Sequence, residues 1–220
     1  MAELTRYSVR LVARRWLSAG FYEIRLERPD GFDFQAGQSL CLDVDGRERH
    51  YTPVTSPSAP QIELCIRRVG EGGVSAALAG LPVGTPLSLT GPHGYFVFRP
   101  SDRPAVFVAT GAGVAPFVAM VRSGVRGVTL LHGVRSPADL VYADLLRERA
   151  DSYVPCLPDA SGPGTVANAF FGRVTDYLEG RLTPGVYDVY LCGRGEMIRD
   201  AIHILDQRCP GSHVYSEAFF

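Results

Sequence analysis

The 220-residue sequence predicts two folding units in series, a six-stranded antiparallel β barrel and then an α/β domain built on a parallel sheet. The hydrophobic period changes near the middle, from alternation over short segments to apolar runs interleaved with helical patterns. The change falls at Arg99-Pro100-Ser101-Asp102-Arg103-Pro104, a polar stretch with two prolines that suits a linker. Each half also has a glycine-rich turn at the start of an expected helix, Gly72-Gly73 in one and Gly111-Ala112-Gly113 in the other. The domains are therefore expected at residues 1–99 and 100–220.

Strands are expected over residues 7–16, 21–28, 38–44, 49–54, 61–69 and 86–90, each short and bounded by turn residues. Alternation is clearest where Ile62, Leu64 and Ile66 are set against Glu63, Cys65 and Arg67. Short strands at this regular spacing suggest a closed barrel. Residues 74–81 are the exception, a short helix behind the glycine pair. In the second half, residues 105–109 are continuously apolar, as in a strand buried on both faces. A helix over 114–121, a strand over 128–132 and a helix over 137–149 follow, the last with Pro137 in its first turn. Residues 157–172 hold Pro158, Gly162, Pro163 and Gly164 and read as a long loop. A strand over 186–192 and a helix over 196–207 complete the alternation that gives a parallel sheet covered by helices.

Composition narrows the function. Hydrophobic residues make up 46% and the formal net charge is −1, so no basic field points to nucleic acid. Every basic side chain apart from histidine is Arg, the better fork for phosphate. Five cysteines, Cys41, Cys65, Cys156, Cys192 and Cys209, are odd in number and far apart. That fits a reducing cytoplasm and argues against a disulfide framework or an iron–sulfur cluster. Residues 1–15 mix charged and polar side chains, unlike a secretory signal, and no run of about 20 apolar residues is present to span a membrane. His50, His93, His132, His203 and His213 show no metal-ligand spacing, so no metal is expected.

Several short motifs remain. In Arg49-His50-Tyr51-Thr52, strand alternation puts Arg49 and Tyr51 on one face and Thr52 on the other. A planar cofactor with a phosphate tail needs such a set: a guanidinium, an aromatic face and a hydroxyl for a ring nitrogen. A plain barrel strand with a surface Arg and a core Tyr fits as well. Gly72-Gly73-Val74-Ser75 can bring backbone N–H groups and a hydroxyl to a phosphate, or merely cap a helix. Thr110-Gly111-Ala112-Gly113-Val114-Ala115-Pro116 follows the first strand of the second half, where doubly wound sheets hold a pyrophosphate. A tight strand-to-helix turn needs the same glycines. Cys192-Gly193 ends a later strand at the same sheet edge, a place for a nicotinamide contact or for a small buried hydrophobe. Arg135 and Ser136 lie past the second strand, where an Arg would favour a ribose 2′-phosphate or stay solvated. Glu196 and Glu217 are the acids closest in sequence to this chemistry.

Together these motifs resemble the ferredoxin–NADP reductase superfamily of flavoproteins, over nearly the whole chain. Arg49-His50-Tyr51-Thr52 is similar to its flavin motif, Gly72 to Ser75 to its pyrophosphate loop, and Phe34-Gln35-Ala36-Gly37-Gln38 to the turn before the flavin strand. Gly91-Pro92-His93-Gly94-Tyr95-Phe96 resembles the hairpin that closes the barrel. Thr110 to Pro116, His132-Gly133-Val134-Arg135 and Cys192-Gly193-Arg194-Gly195-Glu196-Met197 resemble the nicotinamide-nucleotide segments, and Glu217-Ala218-Phe219 the carboxyl-terminal segment beside the flavin. Glu71, and Ala109 before Thr110, depart from the usual glycines. The resemblance implies a flavin-binding barrel, a Rossmann-like nicotinamide-nucleotide domain, FAD in preference to FMN, and NADPH or NADH as co-substrate. It implies hydride transfer in and single-electron transfer out, to a ferredoxin, a flavodoxin or an oxygenase component. Thr52 would act near the flavin N5, Cys192 and Met197 would line the nucleotide site, Glu217 would be a proton or polarity partner, and Phe219 and Phe220 would lie by the ring. Two other outcomes share this fold: a flavin reductase that releases reduced free flavin, and a regulatory module without turnover.

Overall fold

The computed structural model describes residues 5–158 and 166–219. The first unit runs to Phe98 and includes Ala115–Ser123; the second holds the remainder. The barrel strands are β1 (Arg6–Trp16), β2 (Phe21–Glu27), β3 (Ser39–Val44), β4 (Arg47–Tyr51), β5 (Gln61–Arg67) and β6 (Pro86–His93). They pair antiparallel in the order β4-β3-β6-β1-β2-β5. A register shift between Leu11 and Ala13 lets the first half of β1 pair with β6 and the second half with β2. The open edges meet where Pro53 bridges Leu64 and the Val54 N–H donates to the Glu63 carbonyl at 2.8 Å. Proline has no N–H with which to extend that ladder. Strand β4 therefore stops at Tyr51, short of the expected residue 54, and Thr52 sits just past its end.

Leu40, Leu42 and Val44 of β3 share a core with Val9, Leu11, Ile24, Leu26, Ile62 and Leu64. Each such side chain contributes about 1.5–3 kcal/mol on burial. A one-residue slip would turn the whole set outward, so the register is strongly fixed. Helix α1 (Val74–Gly80) adds Val74 and Leu78 to this core. Helix α2 (Ala115–Arg122) groups with the barrel rather than with the sheet that precedes it in sequence. Its Phe117 ring lies 5.9 Å from Phe96, and the Arg122 guanidinium donates to the Val54 carbonyl at 2.9 Å and to the Glu63 carboxylate at 3.1 Å.

The second unit carries β7 (Ala105–Thr110), β8 (Val128–Gly133), β9 (Ser152–Leu157), β10 (Phe170–Phe171), β11 (Asp188–Gly193) and β12 (His213–Ala218). All pair parallel, in the order β10-β9-β8-β7-β11-β12. Helices α3 (Ala143–Arg149), α4 (Val174–Gly180) and α5 (Gly195–Arg208) complete it. The chain steps outward from β7 in one direction and returns to its other side as β11, so the sheet has a switch point between these two strands.

Two further expectations change. The helix over 137–149 is a short 3-10 turn, Pro137–Asp139, followed by α3. Ser136 caps the turn, Val141 and Tyr142 are weak helix formers that do not carry it on, and Tyr142 takes a left-handed φ of 61°. The loop over 157–172 begins inside β9 and ends in β10, whose Phe170 and Phe171 pair with Cys156 and Leu157. Among the described residues, no helix is long and apolar enough to cross a membrane.

Candidate flavin and nucleotide sites

On the barrel, Arg49 and Tyr51 stand opposite Leu42 and Leu40 of β3, on the core side of the edge strand β4. Arg49 is exposed and donates only to the Glu48 carbonyl, at 2.7 Å, leaving its guanidinium without an ion pair among the described residues. Tyr51 is half-buried, and burial pushes its hydroxyl up to about 12 against the opposing pull of Arg49. Thr52 is 2% exposed, and its Oγ1 has no hydrogen-bond partner among the described residues. His50 turns to the opposite face, with Nδ1 3.3 Å from Ser39 Oγ and its ring 4.9 Å from that of His93. Burial, then the neighbouring His93, holds its imidazole below the ordinary value.

The glycine pair lies at the mouth of α1. Gly73 is the N-cap without a side-chain cap, and Gly72 has a φ of 86°, a conformation glycine adopts without strain. Ser75 Oγ accepts from the Val69 N–H at 3.0 Å, and the Ser75 carbonyl accepts from the buried Tyr22 hydroxyl at 2.5 Å. Arg47 Nη1 donates to the Gly72 carbonyl at 2.8 Å. The turn at Gly37 meets the hairpin after β6: Gln38 Nε2 donates to the Gly94 carbonyl at 3.1 Å, and a Cβ on Gly37 would strike the Phe96 carbonyl.

On the parallel sheet, the strand register brings the second group of motifs to one edge. Cys192 pairs with Ala109 on one side and with Glu217 on the other. The Phe219 N–H donates to the Gly193 carbonyl at 2.8 Å, and the Arg194 N–H to Thr110 Oγ1 at 3.1 Å. A Cβ on Gly113 would strike the Cys192 carbonyl, and one on Gly193 would strike Thr110 Oγ1. The two loops are thus laid against each other at the switch point, where open α/β sheets take ligands.

The chemistry of this edge is set by burial. Cys192 is fully buried, and desolvation, then Glu217, pushes its thiol well above the ordinary range, so it is a neutral small hydrophobe. Burial alone pushes the Glu217 carboxyl up to about 7. Val114, Ala115 and Pro116 are buried where the 3-10 turn Gly111–Val114 runs into α2. Met197 is 8% exposed and belongs to the apolar core under the sheet. Arg135 is exposed just past β8, and Ser136 Oγ is engaged with the Ala138 N–H at 3.4 Å. Glu196 opens α5. Phe219 is half-buried, and Phe220 lies outside the described residues.

Sequence reasoning passed over two groups. Thr55, 6% exposed, carries a second buried hydroxyl without a partner among the described residues. His132, read as structural, is fully buried below the glycine loop with Nδ1 3.0 Å from the Tyr153 hydroxyl. Burial pulls its imidazole down to about 4 against a raising contact with the Gly111 backbone, so it stays uncharged. Its place at the end of an apolar strand, Val128–Gly133, was the available signal.

Residues 9–98 match the family described as the oxidoreductase FAD-binding domain, and residues 107–203 the oxidoreductase NAD-binding domain. The ferredoxin–NADP reductase B of Sorangium cellulosum is 32% identical over 100% of both chains. The reductase component of propane 2-monooxygenase from Rhodococcus jostii is 32% identical over 87% of this chain, which matches 57% of that protein. The chain spans 57 to 60% of the length of that relative and its mycobacterial counterparts. Among solved structures, a ferredoxin NADP+ reductase from Neisseria gonorrhoeae with bound FAD and NADP has a TM-score of 0.84 at 23% identity, over 99% of this chain and 100% of that one. An Amycolatopsis cytochrome P450 reductase has a TM-score of 0.82 at 26% identity, over 98% of this chain and 70% of that one.

Proposed function

The chain belongs to the ferredoxin–NADP reductase-like superfamily of flavoproteins, and on that premise we propose that it is an NAD(P)H-dependent reductase that passes electrons through bound FAD to a separate carrier. The carrier would be a ferredoxin, a flavodoxin or an oxygenase component, the chemistry its reductase relatives suggest. The observation that carries the reading is the Thr52 hydroxyl, buried and without a partner among the described residues, beside the half-buried Tyr51. An orphaned buried hydroxyl costs about 1–3 kcal/mol. A flavin ring nitrogen would satisfy it, so the residues present fit the cofactor.

Bound FAD would supply the two-electron acceptor and the one-electron outlet. The protein's part is to place and polarise. Tyr51 offers its ring as the face for the isoalloxazine, and Thr52 orients it through Oγ1. Arg49, free of ion pairs among the described residues, takes the diphosphate charge together with Gly72, Gly73, Val74 and Ser75. In the second unit, Thr110, Gly111, Gly113 and Gly193 let the backbone approach a nucleotide closely, since no Cβ fits at Gly113 or Gly193. Cys192 gives a nicotinamide an uncharged contact, Glu217 holds or gives up a proton near neutral pH, and Arg135 reaches for the ribose phosphate of NADPH. We assign residues 1–99 to the flavin and 100–220 to the nucleotide. Five unpaired cysteines, all buried, support a cytoplasmic setting.

The test is an anaerobic visible spectrum of the purified chain with FAD, before and after NADPH, then NADH. Flavin bands that bleach support the reading. A chain that takes up no flavin, or flavin that stays oxidised with both nucleotides, overturns it. Bleaching with release of the flavin into the filtrate would instead mark a free-flavin reductase.

A further inference from the structure

The turn before α1 is rich in glycine, and glycine takes either sign of φ at little cost. Gly70 and Gly72 both have positive values, 59° and 86°. Such a turn reverses a peptide plane easily, so contacts from outside must fix which way its carbonyls face. Three ties hold it. The Val69 N–H donates to Ser75 Oγ at 3.0 Å and closes the turn on itself. The buried Tyr22 hydroxyl donates to the Ser75 carbonyl at 2.5 Å, and Arg47 Nη1 donates to the Gly72 carbonyl at 2.8 Å. The last two reach the turn from β2 and β4 and draw its carbonyls toward the barrel strands.

Arg47 is itself held in place. It pairs with Val44 across a two-residue turn in which Asp45 and Gly46 both have positive φ, 53° and 75°, the form whose twist matches a hairpin. The Gly46 N–H donates to Asp43 Oδ1 at 2.8 Å and braces that turn. Alternation along β4 puts Arg47 on the same face as Arg49 and Tyr51. A trans peptide is planar, with its C=O and its N–H on opposite sides. A Gly72 carbonyl turned to Arg47 therefore leaves the Gly73 N–H facing the other way. We propose that Arg47 is a positioning residue for the cofactor diphosphate: its bond to Gly72 sets the plane of the Gly72–Gly73 peptide and presents the Gly73 N–H to a phosphate oxygen. The inference rests on the flavin reading above, and it adds a residue that touches the turn rather than the cofactor. Arg49, two residues and about 7 Å further along the same face, keeps the direct charge contact. Without Arg47 the peptide can turn its carbonyl toward the phosphates, where its partial negative charge opposes theirs. A guanidinium suits this duty, since a charge-assisted bond to a carbonyl is firmer than a neutral one.

The test uses the full chain stripped of flavin and titrated calorimetrically with FAD and with riboflavin, which has the ring and no phosphate. Arg47→Met is expected to weaken FAD about tenfold and to leave riboflavin unchanged, and Arg47→Lys, which keeps a charged donor, to recover most of the loss. The FAD titration is repeated at about 1 M salt, where the Debye length falls to about 3 Å. A peptide held in the wrong plane is indifferent to salt, so the gap between wild type and Arg47→Met should persist there. A gap that closes in salt would make Arg47 a long-range charge and overturn the proposal. Equal losses for FAD and riboflavin would make it a prop of the barrel, and no loss for either would leave it idle; each overturns the proposal as well. These outcomes leave the reductase reading standing. A wild-type chain that binds no FAD would overturn both.

Discussion

Thr52→Val separates what the hydroxyl costs from what it does. Valine keeps the shape of threonine and removes a buried oxygen, unpartnered among the described residues, from a side chain that is 2% exposed. Leaving that oxygen buried costs about 1–3 kcal/mol, part of which is offset by adjustments the lone pair finds nearby. The flavin-free variant should therefore gain about 1 kcal/mol, a rise of about 2–4 °C in Tm for a chain of this size. With FAD bound the sign changes, because the variant lacks a hydrogen bond of about 0.5 kcal/mol that the wild type has formed. The two effects add to a binding loss of about 1.5 kcal/mol, roughly tenfold in Kd. Reduction should fall further, about 100-fold, the scale seen when one preorganised donor is removed from a reacting centre. Calorimetry of the flavin-free and flavin-bound forms, with stopped-flow reduction by NADPH, reads all three numbers. A lower Tm in the flavin-free variant would show that Oγ1 has a partner in the folded chain. A normal reduction rate would remove Thr52 from the chemistry.

Other substitutions probe the sheet edge. Glu217 carries a carboxyl raised to about 7 by burial, so the folded chain binds its proton more tightly than the unfolded chain. Its contribution is full below the ordinary carboxylate range and is lost as pH rises through about 7. Glu217→Gln should flatten the fall in Tm between pH 5 and 8 and remove a group titrating near neutrality from the kcat profile; an unchanged profile would show that Glu217 is silent. Gly113→Ala places a methyl on the Cys192 carbonyl and should raise KM for NAD(P)H more than tenfold with the flavin spectrum intact; a normal KM would place the nucleotide elsewhere. Arg135→Ala should cost NADPH about tenfold in kcat/KM and NADH little, by loss of one charge-assisted phosphate contact; equal losses would make Arg135 a mere surface residue. All five cysteines are buried, so a thiol reagent at pH 8 should label none in the native chain and all five after denaturation; rapid native labelling of Cys192 would contradict its neutral, enclosed state.

The strands that alternate were legible because one residue slip would invert their burial: Ile62, Leu64 and Ile66 could only face inward. The charged edge strand Arg47–Tyr51 was legible through its motif alone, since four of its residues are exposed. Strand β9 was not, because Pro155 stands in its middle, and proline there argues against a central strand. It is tolerated because, among the described residues, β10 pairs only with Cys156 and Leu157, so the flank of β9 that the Pro155 nitrogen faces has no ladder to complete there. Strand β12 and helix α4 are short, and neither has enough residues to establish a period. Of the candidate sites, the motifs gave the residues and the sheet edge, but not the contacts between distant segments. Nothing in the sequence says that the Tyr22 hydroxyl reaches Ser75, 53 residues away, or that Gly113 must lie against Cys192.

Those distant contacts have an electrostatic consequence. Among the groups at the nucleotide edge whose ionisation burial shifts, two are held neutral: the Cys192 thiol well above its usual range and the His132 imidazole at about 4. The third, Glu217, is raised to about 7 and changes charge near neutrality. A nicotinamide gains positive charge as its hydride departs, so a fixed cation at this edge would oppose the reaction and a fixed anion would hold the oxidised nucleotide too well. A single carboxyl poised between its two forms can favour departure of the hydride when ionised and release of the product when protonated. On the proposed function, that division of labour would give the buried thiol and imidazole a role: they leave the charge at this edge to the carboxyl. It requires that the pH at which reduction is half-maximal follow the Glu217 carboxyl and neither of its neutral neighbours.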